Sequence, residues 1–371
     1  MSGTGAGPIT EDWRAHHFDL LSPALAQELH ETLALMRDEH PVTWSDQHGG
    51  YWVVTRYEDV LRVAQDWRTF SSERGVSVPY RKPEVPAIPE HVDPPVHRLY
   101  RQVVNSYFTP KAVARYEPAT RDLVVRMIEG FAGDGRCEFM AAFARPFPGL
   151  SFFDQVLGAP PDAAEELSEL TLTATDPTSP DRAAAWAGLN GWIEDFLGRR
   201  RAATPRGDVV DAIIGAEIDG RPITDLEVRG MVQLLILGGL DTTAGALGQF
   251  MIRFAREPEL PDLLRRDPAA IPAAVEELLR LEGPFVAIAR TAMVDTEIGG
   301  QAVRAGDKVL IYWASANRDE GEFACPHAFD HERARNRHLA FGAGPHRCAG
   351  SNLARMNLRI ALEELLPRMH D

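Results

Sequence analysis

Phe341-Gly342-Ala343-Gly344-Pro345-His346-Arg347-Cys348-Ala349-Gly350 is the stretch on which the reading of this chain turns. It sets one cysteine among glycines, directly before a run of apolar residues (Leu353, Met356, Leu358, Ile360, Leu362, Leu365) that reads as a helix. A lone thiolate can act as a soft metal ligand or as a nucleophile. Gly342 and Gly344 favour the first, because they let the backbone curl into a loop whose amides can face a sulfur anion. Gly350 removes a side chain where a flat cofactor would approach the helix start. The plain alternative is a buried, inert cysteine in a glycine loop.

Working outward, the chain has 371 residues, 44% of them hydrophobic, enough for a large core. A formal net charge of −15 argues against nucleic acid as a partner. Three cysteines make no disulfide framework in a chain of this size, so Cys137 and Cys325 are expected as ordinary loop or buried thiols in a reducing compartment. Met1 to Thr10 is rich in Gly, Ser, Thr and Pro, without a basic start or an apolar stretch. It is expected to be a disordered lead-in rather than a signal peptide. No 18-residue run is uninterruptedly apolar, so no membrane segment is expected.

Two hairpin patterns stand out. The first is Pro41-Val42-Thr43-Trp44, then Gly49-Gly50, then Tyr51 to Thr55. The second is Thr296-Glu297-Ile298, Gly299-Gly300 and Gln301-Ala302-Val303, followed by Lys308 to Ile311. Helical periodicity dominates elsewhere, so the fold class is mainly α with a small β region. Ser77 to Pro95 carries six prolines and cannot hold a long helix. Thr224-Asp225-Leu226-Glu227 is a capping box that starts a helix able to run to Arg256, roughly 50 Å long. Its apolar middle, Leu234 to Leu237, is expected as core on all sides. Then follows Gly238-Gly239-Leu240-Asp241-Thr242-Thr243. Glycines cost about 1 kcal/mol each in a helix interior, and a buried acid costs more unless partnered. Threonines bonding back to the previous turn would be ordinary. The aspartate has no such explanation.

The motif Phe-Gly-x-Gly-x-His-x-Cys-x-Gly resembles the haem-binding loop of the cytochrome P450 superfamily. The resemblance extends to Ile88-Pro89, to Asp93-Pro94-Pro95 with His97-Arg98 and Tyr100-Arg101, to the Gly238–Thr242 run and to Glu277-x-x-Arg280. Within the superfamily these look like the soluble bacterial camphor-hydroxylase type, with Val85 where that type has a tyrosine in the pocket. The resemblance implies a single haem-containing P450 domain over residues 11–371, with haem b (iron protoporphyrin IX) as cofactor. It implies Cys348 as the thiolate ligand of iron, His97, Arg101, Arg290 and His346 as contacts to the haem propionates, and Asp241 and Thr242 as the proton-delivering acid and alcohol. Glu277, Arg280 and Arg333 are expected to support the cysteine loop. The proline-rich segment is expected to cover the substrate pocket, with Phe285 to Ile288, Leu234 and Leu237 lining it. The family continues past this point into a C-terminal β-hairpin that is not found by Asp371; either that wall of the pocket is missing or the sequence is truncated, and truncation is the expectation.

The implied activity is oxidation of a compact hydrophobic molecule, terpenoid or aromatic, using O₂ and electrons from a separate ferredoxin. That ferredoxin is expected on the Cys348 side, against Arg98, Arg335, Arg337 and Arg347 and an Arg355–Arg359–Glu363 stripe. A cytoplasmic monomer is expected. A peroxide-using peroxygenase and a haem protein without turnover are the alternatives. The acid–alcohol pair speaks against both, because neither needs a proton relay.

Overall fold

The computed structural model describes residues 8–369. Residues 1–7, most of the expected lead-in, and residues 370 and 371 lie outside the described part. Thr10, the end of that lead-in, accepts the Trp13 amide and so caps the helix Glu11–His16. Helices dominate, with nine short strands among the described residues: β1 (Val42–Ser45), β2 (Tyr51–Val54), β3 (Phe70–Ser71), β4 (Glu217–Ile218), β5 (Arg221–Pro222), β6 (Ala287–Ala292), β7 (Thr296–Ile298), β8 (Gln301–Val303) and β9 (Lys308–Tyr312). The described chain divides into two compact units. One comprises residues up to Pro83, Glu90–Pro94 and Leu279–Cys348; the other comprises Glu84–Pro89, Pro95–Leu278 and the residues from Ala349 on.

The first unit is built on a five-stranded sheet in the order β1-β2-β9-β6-β3. Both expected hairpins form, with Val42 opposite Val54 in one and Thr296 opposite Val303 in the other. The strand the sequence hid is β6. Its last five residues are all buried, so no polar–apolar alternation marks it, as befits a strand covered on both faces. It pairs antiparallel with β9, which runs parallel to β2. Two apolar clusters cover the faces of this sheet. Val54, Val60, Phe70, Ile311, Trp313 and Phe323 belong to one, and Phe18, Leu33, Met36, Val53 and Tyr312 to the other.

The second unit is helical, around the helix Asp225–Arg256. Thr224 and Glu227 close the capping box reciprocally, and the helix runs unbroken for 32 residues. It is long and apolar enough to cross a bilayer by composition, yet more than half of its most apolar window is buried against the helices Pro146–Phe152, Ala163–Thr175 and Arg182–Ala202, as in a core helix. The expectation that Leu234 to Leu237 is core all round needs correction. Ile236 is buried, but Leu234, Leu237, Asp241 and Gly245 are half-buried and Gly238 and Thr242 are exposed. These positions recur three and four apart and form one open stripe.

The proline-rich segment has no helix or strand. Its part Glu84–Pro89 is held on the long helix: the Ile88 amide donates to the Gly230 carbonyl at 3.3 Å, and Gln233 Nε2 reaches the Val85 carbonyl at 3.5 Å. Gly230 is required by this approach, since a Cβ there would collide with the Pro86 carbonyl oxygen.

Candidate active site

Within the first unit, the cysteine loop follows a short 3₁₀ turn, Gly344–His346. Gly342 and Gly344 both have positive φ, 67° and 69°, so the expected curl is present. At Gly344 the requirement is twofold, because a Cβ would also run into the Ala64 carbonyl of the helix Tyr57–Gln65. The Cys348 amide donates to the Phe341 carbonyl at 2.9 Å and closes the loop, while its thiol is exposed.

His346 is held by two residues that sequence reading passed over as site residues. The Ser72 hydroxyl donates to Asp93 Oδ1 at 2.9 Å and stands 3.1 Å from His346 Nε2. A hydroxyl has one proton, and Asp93 takes it, so His346 Nε2 donates to Ser72. Burial pushes the Asp93 carboxyl up, but the nearby His346, 3.9 Å away, and hydrogen bonds from Ser71 and Ser72 outweigh it and hold it at about 2. Asp93 therefore stays ionised and orients His346 through the serine.

Arg290 lies on β6, opposite Val309, and is 2% exposed. Its Nη1 donates to the Ala289 carbonyl at 2.8 Å. Burial pushes its guanidinium down, and Glu90 and Asp93 are the charges that oppose this. A cation so placed gains from any further carboxylate. Phe285 and Val286, just before β6, are large apolar side chains left exposed.

The loop's support is also explicit. Arg280, 1% exposed, donates from Nη1 to the carbonyls of Asn317 and Pro326, both at 2.7 Å, and from Nη2 to Ala328 at 3.2 Å. Asn317 Oδ1 in turn accepts the amide of Leu339, where the cysteine loop begins, at 2.6 Å. The Phe323 ring lies between Arg280 at 5.0 Å and Arg333 at 5.8 Å. Arg333 also donates to the Ala324 carbonyl at 2.8 Å. Glu277 is fully buried, one turn before Arg280 on the helix Ile271–Glu282.

Within the second unit, His97 and Arg101 share one face of the helix Val96–Asn105, as their spacing of four demands. His97 is 2% exposed; Arg101 is half-buried, with its Nε on Asn105 at 3.1 Å. On the long helix, Asp241 accepts from Ser168 Oγ at 3.2 Å. Burial raises the Asp241 carboxyl to about 6, with Ser168 and Arg145 opposing. Thr242 Oγ1 donates back to the Gly238 carbonyl at 3.1 Å, the ordinary partner for a mid-helix threonine.

The two mid-helix glycines have different reasons. A Cβ on Gly239 would stand 2.7 Å from the Phe152 ring, so that glycine serves helix packing. A Cβ on Gly238 would meet nothing within 4 Å, so that glycine widens the open stripe beside Thr242.

One expectation is corrected here. The arginines on the helix Ser351–Leu365 do not form a basic face. Arg355 grips Glu276 through two hydrogen bonds of 2.6 and 2.8 Å. Arg359 bonds Glu117 at 2.7 Å and Glu363 at 3.0 Å, and Arg121 bonds Glu363 and Glu364 at 2.5 Å each. The glutamates that hold Arg355 and Arg359 come mostly from other helices, so a stripe read along one helix could not reveal them. Arg335, Arg337 and Arg347 in the first unit are exposed, Arg337 standing 3.5 Å from Glu322.

The donor set fits haem. Within the first unit, the buried Arg290 guanidinium suits a propionate, the exposed Cys348 thiol suits iron, and Gly342 offers a loop surface where an added Cβ would find its nearest neighbour at 3.8 Å. A family model described as cytochrome P450 matches residues 170–369. Linalool 8-monooxygenase of Pseudomonas putida is 32% identical, over 95% of this chain and 92% of that protein. Erythromycin C-12 hydroxylase of Saccharopolyspora erythraea is 35% identical, over 93% and 89%. The solved structure of Mycobacterium marinum cytochrome P450 CYP268A2 in complex with pseudoionone has a TM-score of 0.85 and 29% identity, covering 92% of this chain and 88% of that one. Loop, long helix and relatives agree: this chain belongs to the cytochrome P450 superfamily of haem-binding monooxygenases.

Proposed function

We propose that residues 11–371 act as one haem domain that oxidises a compact hydrophobic small molecule of terpenoid type with O₂, in the cytoplasm, with electrons from a separate ferredoxin. Bound through the Cys348 thiolate, haem supplies oxygen activation at its iron. Arg101 and Arg290 would bring positive charge to the propionates, with His97 and His346 as further polar contacts, and the Asp93–Ser72 pair orients the His346 ring. Leu234, Leu237, Phe285 and Val286 offer apolar contacts to the substrate. The relatives named for linalool and solved with pseudoionone support the terpenoid class.

The observation that carries a monooxygenase rather than a peroxygenase is the acid–alcohol pair on the open stripe of the long helix. Asp241 has a carboxyl poised near neutrality, suited to taking and giving protons. Thr242 is exposed on that stripe, one residue on. In Thr242→Ala, substrate should bind as in the wild type, while product per electron pair falls about 10-fold or more and peroxide or water takes the balance. Wild-type coupling in that variant would sink the proton-delivery reading. A wild-type rate with peroxide alone, matching the reductase-driven rate, would favour the peroxygenase.

For the ferredoxin, Arg347 now stands in place of the helix stripe. Arg347→Glu should slow reduction by an acidic ferredoxin and remove its salt dependence, while leaving dithionite reduction unchanged. Equal slowing with both reductants would place the damage at the haem instead.

A further inference from the structure

We propose that Ser168 is a positioning residue for proton delivery: its hydroxyl, bonded to Asp241 Oδ1, holds the carboxyl toward the helix Ala163–Thr175. The inference rests on the role proposed for Asp241, and it adds a residue that no motif marks. Its basis is the 3.2 Å hydrogen bond from Ser168 Oγ to Asp241 Oδ1. The serine is half-buried on a helix packed against the long one, and its proton goes to a carboxylate that is itself half-buried. A neutral donor stabilises the anion without neutralising it, so the carboxyl keeps a proton affinity near working pH. A cation in that position would abolish it.

Burial raises the Asp241 carboxyl, and Ser168 is the main group that opposes it. Arg145, which follows the π-helical turn Met140–Ala144, is the one charge that acts on Asp241 from nearby among the described residues. The helix Pro146–Phe152 brings no ionisable side chain. The glutamates of the serine's own helix, Glu165, Glu166 and Glu169, are exposed. From the helix Arg182–Ala202, Glu194 pairs with Arg229, and Arg200 pairs with Asp208 and Asp211.

The test uses the haem-loaded enzyme and reads the carboxyl itself. The protonated-carboxyl stretch of Asp241 is followed in pH-difference infrared spectra and assigned by its loss in Asp241→Asn. The wild-type midpoint should lie at about 6. Ser168→Ala removes a donor that lowers the midpoint, so it should rise by roughly half to one pK unit, the worth of one neutral hydrogen bond. Ser168→Thr should restore the wild-type midpoint and Ser168→Val, of the same shape, should not. The pH at which coupling is half-maximal should move with the midpoint. An unmoved midpoint in Ser168→Ala and Ser168→Val overturns the inference. A midpoint that moves while the coupling profile stays fixed supports the serine's hold on Asp241 and overturns the proton-delivering role of Asp241.

Discussion

Cys348→Ala is expected to lose the thiolate-type absorption of the reduced carbon monoxide complex completely, and all turnover with it, while the protein stays folded. The second half of that result follows from the loop. Its shape is held by the Cys348 amide on the Phe341 carbonyl and by the left-handed turns at Gly342 and Gly344, none of which needs the thiol. An exposed side chain removed from such a loop changes stability by no more than about 0.5 kcal/mol. Urea unfolding therefore separates a lost iron ligand from a lost fold. Cys348→His should bind haem with a nitrogen-ligated spectrum. A thiolate spectrum surviving in either variant would rule Cys348 out as the ligand.

Arg280→Ala should be the most damaging change away from the chemistry. It leaves the carbonyls of Asn317, Pro326 and Ala328 without their donor and removes a cation from the Phe323 ring. A buried acceptor left without its donor costs about 1–3 kcal/mol, and three are left here. Because Asn317 also holds Leu339, the loss should spread into the cysteine loop, and haem retention should fall along with the unfolding midpoint in urea. Arg280→Lys should recover little, since a single ammonium cannot reach three acceptors with a planar fork. A loss below about 1 kcal/mol, with haem retained, would show that the loop is supported elsewhere.

What could be read in advance was whatever announces itself locally. The capping box at Thr224 gave the start of the long helix. The glycines around Cys348 gave the loop's curl. The spacing of His97 and Arg101 put them on one face of a helix. What stayed hidden depends on partners remote in the chain. Ser72 and His346 are 274 residues apart, and Ser168 and Asp241 are 73 apart; a single serine has no local signature of such a contact. β6 was hidden for a different reason: buried on both faces, it lacks the alternation that betrays a strand. The basic stripe on the Ser351–Leu365 helix misled because charge was summed along one helix, whereas Glu117 and Glu276 are supplied by others.

The unequal surroundings of the two adjacent glycines bear on how this protein can be altered by evolution or by design. At Gly239 any side chain must displace an aromatic ring of a neighbouring helix, so the position is closed to change. At Gly238 a methyl group enters open space and brings the better helix propensity of alanine, about 1 kcal/mol. Two residues of identical chemistry, side by side, thus differ in whether they can vary at all.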